Sequence, residues 1–180
     1  DNIGTFLIDL TPPDAFALMS PPNESWNRSS GVVFSWKASA DAVSGLSHYQ
    51  LTLDGVVYQE NLPPDKTSFT TPKTLLDGEH TWLVHAFDQA GNSIASKEEW
   101  RFSIDSASPQ STITVGKPST TIDGIFHVED TTPFTINVDD GNGSGGALTE
   151  YKIDNGDWRP YSGPFTVPLD GRHLISYRST

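Results

Sequence analysis

Apolar and polar residues alternate with a period of two along many short runs of this chain, a pattern typical of strands with one buried face. In the run that begins at His80, the pattern places Trp82, Val84 and Ala86 on one inward face. The predicted strands are 32–36, 48–53, 56–59, 68–70, 80–87 and 99–104, then 111–115, 134–138, 149–153, 165–167 and 173–177. Gly and Pro turns separate these runs, and the whole pattern predicts an all-β sandwich architecture.

An internal repeat divides the chain. Leu76-Asp77-Gly78-Glu79-His80-Thr81-Trp82 recurs as Leu169-Asp170-Gly171-Arg172-His173-Leu174-Ile175, at an offset of 93. A looser match relates residues 44–51 to residues 146–153. Repeats of this kind indicate modules in series, and we predict one module over 10–105 and a second over 106–180.

The two ends of the chain echo the close of the first copy. Phe6-Leu7-Ile8-Asp9 resembles Phe102-Ser103-Ile104-Asp105, so residues 1–9 are predicted to be the tail strand of a preceding module or a strand donated to a neighbour. The residues of that strand are Asp1, Ile3, Phe6 and Ile8. The second copy stops before the strand that closes the first, and is predicted to lack its last strand. A donated strand, a longer array and an arbitrary boundary all remain open.

Several motifs carry a resemblance to known families. Residues 14–105 resemble a bacterial or archaeal fibronectin type III-like module, through Phe34-Ser35-Trp36, Ser44-Gly45 and the run 88–92. Residues 110–180 resemble bacterial Ig-like repeats, through the runs 151–158 and 161–165. The resemblance implies two tandem Ig-like, fibronectin type III-like β-sandwiches. It also implies an extracellular or cell-surface spacer, stalk or adhesive array, or an accessory module beside a carbohydrate-active enzyme.

One position departs from the fibronectin-like pattern. Such modules often carry a tyrosine corner two residues after the glycine of the Leu-x-x-Gly turn, and this chain has His80 and His173 there. An imidazole can donate a similar hydrogen bond to the backbone. We therefore expect a structural role for both histidines, with a metal or pH-sensing role as the alternative.

Composition argues against several classes of partner and of chemical reaction. A net charge of −12 leaves no basic face for nucleic acid, and no apolar run is long enough for membrane insertion. Cysteine is absent, which removes thiol chemistry and soft zinc ligands. The chain has neither a Gly-x-Ser-x-Gly elbow nor a His-x-x-x-His pair. We predict that it is not an enzyme.

Calcium is the only cofactor that these patterns suggest, and none is required. The loops and the linker at one end of a sandwich should gather oxygen ligands, which Ca²⁺ prefers. The predicted ligands are Asp9, Asp41, Asp88 and Asn92 for the first module and Asp105, Asp139 and Asp140 for the second. The alternative is that Asp and Asn occupy these loops because they form good turns.

The tryptophans raise a further alternative. Trp36 and Trp82 fall on inward phases and are expected in the core, whereas Trp26 or Trp158 could stack on a glycan. We are left with three predicted functions: a structural or adhesive spacer, a filament subunit joined by strand donation, and a carbohydrate-binding accessory module. Their partners would be neighbouring modules, identical chains head to tail, or glycans.

Overall fold

The computed structural model describes residues 4–27, 31–141, 143–145 and 148–180. Within those residues the chain forms strands and turns without helices, which confirms the predicted all-β class. No helix in the described residues is therefore able to cross a bilayer. The chain divides into two compact units, residues 1–106 and residues 107–180.

The first unit is a two-sheet sandwich. Its strands are β1 (Leu18–Ser20), β2 (Ser25–Asn27), β3 (Val33–Trp36), β4 (Leu46–Leu53), β5 (Val56–Leu62), β6 (Ser68–Thr70), β7 (Gly78–Asp88), β8 (Ser93–Ala95) and β9 (Trp100–Ile104). One sheet runs β1–β3–β6, and the other runs β2–β9–β7–β4–β5 with β8 also paired to β7. This strand order matches the two-sheet plan of an Ig-like, fibronectin type III-like module.

The core of the first unit lies between these sheets. Trp82, Val84 and Ala86 are fully buried, as the alternation along β7 predicts. Trp36 is buried on β3, in the core as expected, and Phe34 packs edge-on against Trp82 with ring centroids 5.0 Å apart. Burial of aromatic side chains from both sheets is the main source of stability in such a sandwich.

The second unit has three smaller sheets of two or three strands each. Its strands are β10 (Gln110–Val115), β11 (Ser119–Ile122), β12 (Ile125–Val128), β13 (Phe134–Asp139), β14 (Thr149–Ile153), β15 (Arg159–Pro160) and β16 (Ile175–Ser179). β10 pairs with β13, β11 pairs with β12, and a third sheet runs β15–β14–β16. β16 is therefore an edge strand among the described residues.

The strand predictions differ from the structure in the second unit. The run predicted at 165–167 forms only an isolated bridge between Phe165 and Phe134. The strand predicted at 173–177 begins at Ile175, so residues 173 and 174 lie outside it. The β11–β12 hairpin was not predicted, because its residues are almost all exposed and carry no alternation between a buried and an exposed face.

Candidate functional site

Three predicted metal ligands converge at one end of the first unit. Carboxylate oxygens of Asp9, Asp41 and Asp88 all lie within 4.8 Å of one another. Asp9 precedes β1, Asp41 lies in the loop between β3 and β4, and Asp88 is the last residue of β7. Three segments far apart in sequence thus bring acidic oxygens to one point, as the topology of a sandwich end predicts.

Backbone N–H groups hold each carboxylate in place. Asp41 Oδ1 accepts hydrogen bonds from the backbone N–H groups of Val43, Ser44 and Gly45, at 2.8 to 3.1 Å. Asp88 Oδ1 accepts the N–H groups of residues 90 and 92, at 2.9 and 2.8 Å. These bonds fix the direction of both side chains through the turns that the same residues begin.

The linker carboxylate is bonded both to its own turn and to the β3–β4 loop. Asp9 Oδ1 accepts from Thr11 N and Oγ1, at 2.9 and 2.7 Å, while Oδ2 accepts from Ser44 N at 3.1 Å. Hydrogen bonds from Ser44 and Thr11 hold the pKa of Asp9 at about 2, well below its ordinary 3.8. Asp9 is therefore an anion at neutral pH.

Asn92 ties the linker to the end of β7. Its Nδ2 donates to Asp9 O at 3.3 Å, to Thr11 O at 3.2 Å and to Asp88 Oδ2 at 2.8 Å. In this arrangement the amide nitrogen, rather than the oxygen, faces the carboxylates. Asn92 thus positions the linker and Asp88, and a role as a direct ligand stays a prediction.

The carboxylate cluster carries concentrated negative charge. Asp88 and Asp9 are only 3% and 9% exposed, and no ion pair among the described residues joins any of the three aspartates to Lys, Arg or His. Like charges at this separation repel one another, and burial weakens the screening of that repulsion by water. Carboxylate oxygens are the ligands that hard cations such as Ca²⁺ prefer, and binding of a cation here stays a prediction.

The second predicted ligand set is split between the units. Asp105 lies at the end of the first unit, where its N–H donates to Asn27 O at 3.0 Å. In the second unit, Asp139 Oδ1 accepts from Gly141 N at 2.8 Å, and Asp140 Oδ2 accepts from Gly145 N at 2.7 Å. Asp139 and Asp140 organise their own glycine-rich loop, and their role as metal ligands stays a prediction.

The predicted donor strand carries exposed apolar side chains. Phe6, Leu7 and Ile8 are 83%, 67% and 67% exposed, and residues 4–9 form no strand. Asp1 and Ile3 lie outside the described residues. Apolar side chains left in water along consecutive positions are an unusual feature of a folded chain.

The two candidate glycan-binding tryptophans have different surroundings. Trp26 lies on β2, which pairs in parallel with β9, and is 50% exposed. Trp158 has Arg178 Cζ 4.1 Å from its ring centroid and Lys152 Nζ at 5.2 Å. Cations over a ring occupy the surface on which a sugar would stack, so Trp26 is the better placed of the two for glycan contact.

A paired Asp–His motif recurs in both units, and the sequence analysis predicts a role for its histidine alone. His80 Nδ1 lies 2.8 Å from Asp54 Oδ2, and His173 Nδ1 lies 2.7 Å from Asp154 Oδ2. Each aspartate has a positive φ, 51° and 53°, in the turn after β4 or β14, a conformation that Asp tolerates better than most residues. The turn residues Asp54-Gly55 were the available sequence signal.

The surroundings of the histidines set their protonation. Burial alone would lower the pKa of His80, but hydrogen bonds to Leu76 O, at 2.9 Å, and to Asp54 outweigh it and raise that pKa above 6.5. The hydrogen bond to Asp154 raises the pKa of His173 in the same direction. Each motif joins the turn after one strand, β4 or β14, to the start of the strand that pairs with it, β7, or to the residues just before that strand, β16, which fits the expected structural role.

Comparisons with known proteins find likenesses among solved structures alone. No protein-family model and no curated protein matches the chain. Solved structures similar to it include the fibronectin(III)-like modules of Clostridium thermocellum CbhA, with 12% identity, coverage of 91% of this chain and 84% of that one, and a TM-score of 0.42.

Two other similar structures are matched over a smaller share of their own length. The central fibronectin-III array of RIM-binding protein has 14% identity over 97% of this chain and 65% of that chain, with a TM-score of 0.36. Dimeric latent PorU from Porphyromonas gingivalis has 16% identity over 94% of this chain and 17% of that chain, with a TM-score of 0.40. Likenesses of this extent do not bear on function, which has to be argued from the site.

Proposed function

We propose that this chain is a non-catalytic, extracellular structural segment whose linker is fastened to the first module by Ca²⁺. The observation that carries the proposal is the convergence of Asp9, from the linker, with Asp41, from the β3–β4 loop, and Asp88, from the end of β7. A cation shared by these three residues would join the residues around Asp9 to the end of the module. A spacer whose joints are fixed in this way keeps neighbouring modules at a defined distance.

Calcium suits the site better than other common ions. The side chains offer only oxygen ligands, the preference of Ca²⁺ and Mg²⁺, and Ca²⁺ accepts irregular geometry with additional carbonyls and waters. Extracellular modules bind Ca²⁺ with a Kd of about 10⁻⁴ to 10⁻³ M, weak enough to need an extracellular concentration. An extracellular or surface location therefore belongs to the same proposal.

Substitution of Asp41 tests the site, because Asn keeps Oδ1 and its three N–H partners while removing the charge. With Ca²⁺ at about 100 times Kd, the wild type should gain about 2.7 kcal/mol of unfolding free energy, and Asp41→Asn should gain almost none. In EDTA the variant should be at least as stable as the wild type, because it has less repulsion among carboxylates. Differential scanning calorimetry with Ca²⁺ and with EDTA measures both effects.

Asp65→Asn is the matched control, since Asp65 is exposed in the turn between β5 and β6. It changes the net charge equally and should respond to Ca²⁺ like the wild type. An equal Ca²⁺ response in all three proteins would mean that the ion binds elsewhere or not at all, and would remove the basis of the proposal. Sedimentation velocity with and without EDTA then measures whether chelation lowers the sedimentation coefficient, as expected for a less compact chain.

A second candidate function is head-to-tail assembly of identical chains by strand donation. It is favoured by the exposed apolar residues Phe6 and Ile8 and by the edge strand β16. Edge strands accept an additional strand through their unpaired backbone groups. Growth of the sedimentation coefficient with protein concentration would support this function, and a constant monomer would contradict it.

A further inference from the structure

The pairing of β2 with β9 decides the face of the sheet on which Trp26 lies. The two neighbours of Trp26 in β2 lie opposite Phe102 and Ile104, which are each 1% exposed and point into the core. Trp26 itself lies opposite Ser103, between those two positions. Because side chains alternate along a strand, Trp26 points away from the core. It belongs to the outer face of the sheet.

The indole ring of Trp26 is uncovered. The residue is 50% exposed, and nowhere in the part of the chain that the structure describes does an aromatic ring or a cation lie against it. The other four tryptophans each have such a contact: Trp36, Trp82 and Trp100 with aromatic rings, and Trp158 with Arg178 and Lys152. Trp26 therefore presents a flat apolar surface to water.

Polar groups continue the same row across the sheet. Ser103 of β9 lies opposite Trp26 of β2 on one side and opposite Glu79 of β7 on the other. Neighbouring strands are about 4.8 Å apart, so Glu79 lies roughly 10 Å across the sheet from Trp26. The small side chain of Ser103 between them leaves the centre of the row low. We call Trp26, Ser103 and Glu79 the outer row.

Arg101 adds hydrogen-bond donors beside the outer row. It lies two residues before Ser103 in β9 and so has the same outward phase. Arg101 Nη1 is 3.9 Å from Glu79 Oε2, and the two side chains are 58% and 59% exposed. That separation is longer than a hydrogen bond. The guanidinium N–H groups and the carboxylate oxygens can therefore bind the donors and acceptors of a ligand.

An apolar platform with polar groups one and two strands away suits a sugar chain. The faces of a pyranose ring consist of C–H groups, and its hydroxyls lie at the edge. In glucose joined by β-linkages all substituents are equatorial, so both faces are flat and apolar. A net charge of −12 repels acidic glycans. The complementary ligand is thus a neutral β-glucan.

We propose that the outer row binds a neutral β-glucan chain. One glucose ring stacks on the indole of Trp26, and the chain crosses β9 so that hydroxyls of the next rings reach Glu79 and Arg101. A single exposed apolar side chain is common on protein surfaces, and the polar pair across the row distinguishes this one. The inference goes beyond the structural role proposed above and depends on neither Ca²⁺ nor assembly.

Titration of the whole chain with cellohexaose in EDTA, followed by the indole N–H signals in NMR, tests the site. The Trp26 signal should shift, whereas the signals of the buried Trp36 and Trp82 should not. Trp26→Ala should weaken binding about tenfold or more, as truncation of a central aromatic contact does. Trp26→Phe should weaken it less, because a flat ring remains. Both variants should keep the urea midpoint of the wild type, since Trp26 lies outside the core.

Two matched controls are available in the chain. Trp158→Ala should bind cellohexaose like the wild type, because Arg178 already covers that ring. Glu79→Gln should weaken binding without loss of stability, because Glu79 is exposed. Glu60→Gln, an equal change of charge at an exposed position on β5, should leave binding unchanged.

Three results would overturn the inference. The first is a Trp26 signal that does not move with cellohexaose, or an equal loss of binding in Trp158→Ala. The second is tighter binding of polygalacturonate than of cellohexaose, which would refute a neutral ligand. The third is a loss of concentration-dependent sedimentation in Trp26→Ala without any binding of sugar, which would make the outer row a contact between protein chains.

Discussion

The two units have the same order of principal strands but bury very different amounts of apolar surface. Among the described residues, the first unit has a core cluster of fourteen buried apolar side chains. In the second unit, Phe134 and Ile136 alone among the described apolar residues are buried to a similar degree. β9 contributes two of these fourteen side chains, Phe102 and Ile104.

The comparison separates features that depend on the closing strand from features that do not. The Asp–His motif forms in both units with nearly equal distances, 2.8 and 2.7 Å. It depends only on the turn after β4 or β14 and on the start of the facing segment. Burial of the core and strand conformation at 78–81 depend on β9, because that strand supplies both the ladder partner and the apolar side chains.

Phe102→Ala should make the first unit more like the second, with the largest effect of the substitutions considered below. Removal of a fully buried Phe costs about 3 to 5 kcal/mol of unfolding free energy, through lost burial and a residual cavity. Amide exchange at residues 78–81 should quicken toward that of 171–174. Urea unfolding followed by tryptophan fluorescence measures the loss of stability.

Leu76→Ala is the control for that experiment, because Leu76 is an apolar residue of the same unit that is largely exposed. Its effect should stay within about 0.5 kcal/mol. Equal effects of Phe102→Ala and Leu76→Ala would contradict the assignment of the core difference to β9.

The pH dependence of stability compares the two units through their histidines. Because the pKa of His80 is raised above 6.5 in the folded state, its contribution is complete below pH 6.5 and is lost as pH rises through the folded pKa. His80→Gln should lower stability by about 1 to 2 kcal/mol at pH 6, where His80 donates two hydrogen bonds. The difference from wild type should shrink at pH 9.

His173→Gln is the paired measurement in the second unit. The pKa of His173 is raised in the same direction, so the sign of the pH dependence should be the same. The effect should be smaller, because Phe102 stacks on His80, whereas no aromatic ring among the described residues covers His173. NMR titration of both imidazoles checks the direction, and a pKa below 6.5 for His80 would contradict the predicted linkage.

Arg178→Ala probes the surface of the second unit, with the smallest expected effect. Arg178 Nε and Nη2 lie 2.9 and 2.6 Å from Glu150 Oε2, and the guanidinium covers Trp158. Exposed ion pairs and cation–π contacts each contribute at most about 1 kcal/mol. Stability should fall by less than that, and Trp158 fluorescence should shift, whereas the exposed control Arg159→Ala should change neither.

The core of the first unit could be predicted from the sequence because long central strands repeat their pattern. Along β7, Trp82, Val84 and Ala86 recur at every second position, and a buried face needs no more than this to be recognised. The three-residue strands β1, β2 and β8 were not predicted, whereas β6, of the same length, was. In runs this short, alternation does not separate strands from loops, and the run predicted at 165–167 forms a single bridge at Phe165.

Part of the acidic site could likewise be predicted from the sequence, and part depends on the tertiary structure. That loops and linker meet at one end of a sandwich follows from strand order, so Asp9, Asp41 and Asp88 could be chosen in advance. The orientation of Asn92, with Nδ2 toward the linker carbonyls, depends on the course of the β7–β8 turn. It could not be predicted from the sequence.

Local chemistry, then, was decided by the sequence alone: the alternation of β7, the repeat at an offset of 93, the linker aspartates and the likeness of Phe6–Asp9 to Phe102–Asp105. The burial of Asp9 and Asp88 and their approach to Asp41 were decided by tertiary structure. The physical reason is that alternation and turns depend on neighbours in sequence. A charge cluster depends on which distant segments meet.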